Sequence, residues 1–180
     1  NKEDQVRVAM PSVGGRAPSV AIERLKKITG IGARCTLVCV YVNRAYEDTL
    51  SEMEDAAKEG GFQVVAAVAA VAQHSIVPQY AANRPDAADE KQLEQFAQQI
   101  AGKTESAVSI PGKRPYKKAG GAGLVPKPSN DCVKWGVCAK NCPVQAIDPV
   151  SFTADSKKCI GCMRCIKQCP HGARKVNGAI

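Results

Sequence analysis

Apolar residues in the first hundred positions follow two alternating rhythms. VRVAM (6–10), CTLVCVYV (35–42) and FQVVAAVAAV (62–71) are short, nearly continuous apolar runs, the pattern of a strand covered on both faces. Between and after them the apolar positions recur at helical spacing. Pro18 opens a helix whose Ala21, Ile22, Leu25 and Ile28 share one face, and Gly30 closes it. A second helix carries Leu50, Met53, Ala56 and Ala57 and stops at Gly60-Gly61; a third runs from Asp86 to Ile100, with Leu93, Phe96 and Ile100 as its buried stripe. Three rounds of strand then helix predict an α/β domain with parallel strands and flanking helices over residues 1–102.

A doubly wound nucleotide-binding sheet has about five strands. Only three are legible, and position 1 is Asn, so the missing strands are expected ahead of residue 1. Without them VRVAM is an uncovered edge, which invites association with another chain. After the third helix, residues 103–127 turn to Gly, Pro and Lys and predict a linker, or a strap lying over a neighbouring surface. AGKT (101–104) has the end of a phosphate-binding loop but not its beginning: Ala97 stands where the glycine belongs, and a helix ends here instead of starting.

Composition adds little to that organisation, and charge adds more. With 180 residues, 44% of them hydrophobic, the chain has material for one full domain and a small second one. Its longest apolar run, VVAAVAAVA (64–72), is too short and too alanine-rich to span a bilayer, and NKEDQVRV lacks the basic-then-apolar order of a secretory signal. The net charge of +8 is C-terminal: −2 over residues 1–100, +4 over 101–125 and +6 over 126–180. Only 4% of residues are aromatic and no nucleic-acid motif accompanies the charge, so nucleic acid is not the expected partner. The basic surplus offsets a negatively charged metal–thiolate centre and attracts an acidic protein surface.

Nine cysteines, seven of them between 132 and 169, are the strongest chemical signal. An odd count fits a disulfide scaffold poorly and points to metal ligation in a reducing, cytoplasmic interior. CIGCMRCIKQCP (159–170) is an unbroken C-x2-C-x2-C-x3-C-P run: Cys159, Cys162, Cys165, Cys169, Pro170. Three thiolates on a tight loop cap three corners of a cubane when two residues separate them, and Gly161 lets the backbone turn close to it. In paired runs the fourth cysteine crosses to the other cluster. Cys142 therefore joins Cys159, Cys162 and Cys165 around a [4Fe-4S] cluster, with zinc as the alternative. The same crossing gives Cys132, Cys138 and Cys169 to a first cluster whose remaining corner falls to Trp135, in CVKWGVCAKNCP (132–143). Indole offers a metal no lone pair, so a [3Fe-4S] cluster is the direct prediction. A four-iron cluster with water or Asp131 at the fourth iron, and an empty, collapsed site, stay open.

Residues 128–175 resemble a bacterial two-cluster ferredoxin, with CPVQAI and CPHGAR as one repeat per half. The resemblance implies a compact pseudo-twofold α+β iron–sulfur module, assigned to residues 128–180, whose clusters lie close enough for rapid electron hopping. MPSVGGRAPSVAIERLK (10–26) and YVNRAYEDTLSEMEDAAKEGGFQVVAA (41–67) resemble the later portion of the flavodoxin-like domain fused to ferredoxins in anaerobic bacteria and archaea. That resemblance implies an FMN site on loops 11–17 and 43–47, with Asn43 and Tyr46 near the isoalloxazine ring and Gly14, Gly15 and Arg16 on the other loop. Val13 replaces the aromatic that the family usually has before the glycine pair. The FMN phosphate loop belongs to the strand expected ahead of residue 1; with it FMN binding is expected, and without it tight binding is not.

His74-Ser75 lacks an acid to orient the histidine, so no catalytic residue is assigned, and Cys35 and Cys39 share one face of a buried strand as core residues. The leading expectation is a carrier of single electrons through iron–sulfur clusters, exchanging with FMN if a flavin binds. A flavin-dependent reductase with the clusters as internal wire is one alternative. An electron-transfer subunit of a larger redox complex, docked through its sheet edge and basic linker, is another.

Overall fold

β1 (Gln5–Pro11), β2 (Arg34–Tyr41) and β3 (Gln63–Val71) pair in parallel in the order β1-β2-β3, so β2 is central and β1 is an edge. The computed structural model describes residues 3–106, 109–119 and 123–176; residues 107–108 and 120–122 of the predicted linker, and 177–180 of the predicted module, lie outside these. Contacts divide the chain into two compact units, residues 1–74 with 78–119, and residues 75–77 with 120–180.

In the first unit, α1 (Ser19–Leu25) and α2 (Thr49–Glu59) cover one face of the sheet. Cys35, Leu37 and Cys39, alternate residues of β2, point into that core and are fully buried, with Met53 and Ala57 of α2 against them. The opposite face differs from the covered face that the strand pattern predicts. Val38, Val40, Val68 and Ala70 are only half-buried there, because α3 (Ala87–Ala101) packs against β3 at one side. For the same reason Leu93, Phe96 and Ile100 are a half-buried stripe. α1 is also shorter than its pattern. After Leu25 the turn tightens to bonds from Lys27 N to Arg24 O and Ile28 N to Leu25 O, which swings Ile28 out to 54% exposure.

Two segments after α3 complete this unit. Gln5, Arg34 and Gln63, each the first residue of its strand, donate to the carbonyls of Ala101, Lys103 and Thr104, so the AGKT stretch runs across the amino ends of the strands. Residues 109–119 then lie over the outer face of α2. Ile110 joins the core, and Arg114 reaches Glu54, Asp55 and the Ser51 carbonyl. Gly112 is required where it passes: its φ is +139°, and a Cβ would run into Ser51. With sheet on one side and strap on the other, even Thr49, Ser51 and Glu54 of α2 are buried.

The second unit is built from much smaller pieces: β4 (Lys127–Pro128) antiparallel to β5 (Arg174–Lys175), and two four-residue helices, α4 (Val137–Lys140) and α5 (Arg164–Lys167), which touch each other. Its buried apolar residues, among those described, are Pro126, Ala146, Ile147, Phe152, Met163 and Ala173. The fold class is thus mixed α/β with a three-stranded parallel sheet, followed by a small unit of short helices and strands.

Candidate metal centre

The second unit repeats itself at a spacing of 27 residues. Cys132, Cys138 and Cys142 correspond to Cys159, Cys165 and Cys169, and Trp135 corresponds to Cys162. Backbone geometry follows the repeat. Lys134 and Gly161 both have positive φ, 56° and 64°, and the residues ahead of the two helices, Gly136 and Met163, are both left-handed. Each left-handed residue turns the loop into its short helix, and Cys138 and Cys165 occupy the second position of α4 and α5. Cys142 Sγ accepts the amide of Ala146 at 3.2 Å, and Cys169 Sγ accepts that of Ala173 at 3.3 Å. Those bonds stabilise a thiolate over a thiol and orient each sulfur.

Two cavities result. One, partly open to solvent, is lined by Cys142, Cys159, Cys162 and Cys165. The other is lined by Cys132, Cys138 and Cys169, with Trp135 and His171 at its wall. The crossed grouping read from the spacing is therefore also the grouping of residues around each cavity. Trp135 is 66% exposed, and its ring lies 5.7 Å from that of His171. Asp131, considered in sequence as a fourth donor, accepts a hydrogen bond from Ser129 Oγ at 3.1 Å and is not among the residues lining this cavity.

Sequence patterns gave no reason to single out Arg174, the largest fully buried side chain of the described residues. Its Nη1 donates to Phe152 O at 2.7 Å and lies 3.9 Å from Cys138 Sγ, and its Nη2 donates to Pro126 O at 2.7 Å. Nε is buried with no partner. Burial pushes the Cys165 thiol up, and the charge and hydrogen bonding of Arg174 offset only part of that rise. Thiol-lined cavities, amide donors to sulfur and a buried guanidinium with an unused N–H suit an anionic iron–sulfur cluster.

The residues that the flavodoxin resemblance selects sit at the carboxyl ends of β1 and β2. Asp48 N donates to Gly15 O, Gly15 packs against Glu47, Tyr46 meets Tyr41 edge-on at 5.3 Å, and Asn43 is left-handed with φ 57°. Gly14 has open space beside it. Arg16 is committed elsewhere: its guanidinium pairs with Glu52 at 2.6 Å, donates to Lys117 O and lies over the Tyr116 ring. Asp48, held below the usual carboxylate range by the Lys117 and Lys113 amides, stands close by, as does Glu47. Arg16 is thus engaged by Glu52 within a carboxylate-rich loop, and the flavin phosphate of the resemblance is expected on a different loop.

Residues 152–175 match the family model of the 4Fe-4S binding domain. That match covers the second cysteine run and supports iron–sulfur electron transfer by this part of the chain. No curated protein and no solved structure matches the chain. No helix among the described residues is long and apolar enough to cross a membrane.

Proposed function

We propose that the C-terminal unit carries single electrons through two unlike iron–sulfur centres. Cys142, Cys159, Cys162 and Cys165 would hold a [4Fe-4S] cluster, and Cys132, Cys138 and Cys169 would hold a [3Fe-4S] cluster, with Trp135 at the position where the other run has its further thiol. The observation that carries this reading is the pair of equivalent cavities, one with four thiols and the other with three thiols and an indole. Bound clusters supply one-electron chemistry. The chain supplies the thiolates, the Ala146 and Ala173 amide donors to sulfur, and burial. Lys127, Lys134, Lys140, Lys157, Lys158 and Lys167 give this unit the basic exterior on which an acidic redox partner docks.

Anaerobic reconstitution with iron and sulfide tests the assignment. About seven irons per chain are expected, with a three-iron EPR signal in the oxidised protein. Trp135→Cys restores the fourth thiol; it is expected to abolish that signal and raise the content to about eight irons. Four irons with no three-iron signal would mean an empty first site, and zinc without sulfide would overturn the reading altogether.

Exchange with FMN is a separate proposal, resting on Asn43 and Tyr46 at the carboxyl end of β2. It is tested by titrating FMN and following flavin fluorescence; unchanged fluorescence removes both FMN exchange and the flavin-dependent reductase. Assembly into a larger complex through the β1 edge is read from the size of the protein in solution, where a monomer at all concentrations counts against self-association.

A further inference from the structure

We infer that Arg174 is a single buried cation serving both cysteine-lined cavities, holding both centres at a higher reduction potential than their thiolates alone would set. The inference rests on the two-centre reading above and concerns a residue which that reading does not use.

The starting observation is an electrostatic imbalance. Arg174 is 2% exposed and, among the described residues, has no carboxylate partner. An arginine does not shed its proton to escape burial, and an uncompensated buried charge costs several kcal/mol after relaxation. Two carbonyls, Phe152 O and Pro126 O, accept from its Nη atoms but carry no formal charge. The groups that do carry negative charge here are ligand thiolates and the sulfide of a cluster. Nε, buried and unused, is a donor left over for sulfur.

Position makes the cation shared. Arg174 lines the three-thiol cavity and lies against Cys138 Sγ, while its Nη2 is tied to Pro126, which lines the four-thiol cavity. β5 holds the residue in place, since Arg174 pairs with Pro128 of β4 and the strand packs on α5, the helix bearing Cys165. An electron arriving at either centre adds one negative charge, and the fixed positive charge next to it lowers the cost of that addition. The guanidinium keeps its proton throughout, so one electron is gained and no proton moves at this residue. Shared between the centres, the cation also keeps their potentials moving together.

Wild type, Arg174→Lys, Arg174→Met and the exposed-charge control Lys167→Met are reconstituted anaerobically and reduced stepwise with dithionite, and each centre is followed by EPR. In Arg174→Met the reduced-to-oxidised ratio of both centres at the wild-type midpoint is expected to fall about tenfold, or about 59 mV for one electron. Arg174→Lys is expected to fall less, and Lys167→Met least, because solvent screens it. Unmoved midpoints, a shift in only one centre, or an equal shift in Lys167→Met overturns the inference. Because Arg174→Met can fail to fold, 15N-arginine-labelled protein is measured as well, in an Arg164→Lys background that removes the arginine lining the four-thiol cavity itself. Pulsed EPR is expected to show arginine nitrogen coupled to both centres, and coupling to neither or to one overturns the shared role. Iron and sulfide in the wild type keep the two readings apart. A wild type that takes up neither defeats the two-centre reading and the inference with it, whereas a loaded wild type with unmoved potentials defeats the inference alone.

Discussion

The two units are held together by different physics. The first buries Leu37, Met53, Cys35 and Cys39 completely between a sheet and two helices, and covers α2 again with a strap. The second has helices of four residues and strands of two, far below the length at which a helix sustains itself. Its buried apolar set is small, and a cation lies in the middle of it. A unit with so little apolar burial is expected to need bound clusters for its stability. On that expectation, cysteine spacing in the second unit does the work that apolar periodicity does in the first.

The strongest break of this comparison is removal of iron. Protein prepared without iron and sulfide is expected to lose amide-exchange protection across residues 127–175 while β2 and α2 remain protected. Equal protection in both units would show that the second folds without its clusters. Next in size is Met53→Ala, which opens a cavity at a fully buried site of the first unit. It is expected to cost about 2–5 kcal/mol by urea unfolding of that unit, with iron content unchanged.

A smaller effect belongs to the strap. Arg114→Met loses the contacts with Glu54 and Asp55, but both Arg114 and Asp55 are partly exposed, so about 1 kcal/mol is expected from the shift in urea midpoint. The smallest concerns pH. Asp89, bonded first by the Arg84 side chain and then by the Asp86 amide, has its carboxyl pulled down to about 2. Its folded pKa lies below its unfolded value. Its stabilisation is therefore complete above about pH 4 and is lost as pH falls towards 2. Carboxyl NMR titration of Asp89 should give a midpoint well below that of a free aspartate, and amide exchange in the first turn of α3 should quicken through the same window.

Much of the first unit could be read directly because its strands and its second helix bury what their periodicity exposes: Leu50, Met53, Ala56 and Ala57 are all in the core. The failures have a common cause. Ile28 turns outward at a tightened helix end, Leu93, Phe96 and Ile100 stay half-buried, and Val38 and Val40 lack a full second layer. In each case periodicity states which residues share a face, and the amount of cover is set by what packs there. In the second unit the cysteines of each loop share a cavity because the loop is local, while Cys142 and Cys169 each join from the other run. Arg174 was not legible in sequence, since its partners Pro126, Cys138 and Phe152 are brought to it from elsewhere in the chain.

By itself the sequence determined the order of strands and helices, the thiol donors and the one corner of the repeat given to an indole, all properties of residues close together along the chain. Tertiary structure alone decided that AGKT runs across the strand ends, that residues 109–119 cover α2, that Arg16 is engaged by Glu52, and that the buried Arg174 guanidinium lies beside Cys138 and holds the Pro126 carbonyl. Those contacts join residues far apart in the chain, and no local pattern of polarity records which distant group will neutralise a charge or cover a helix.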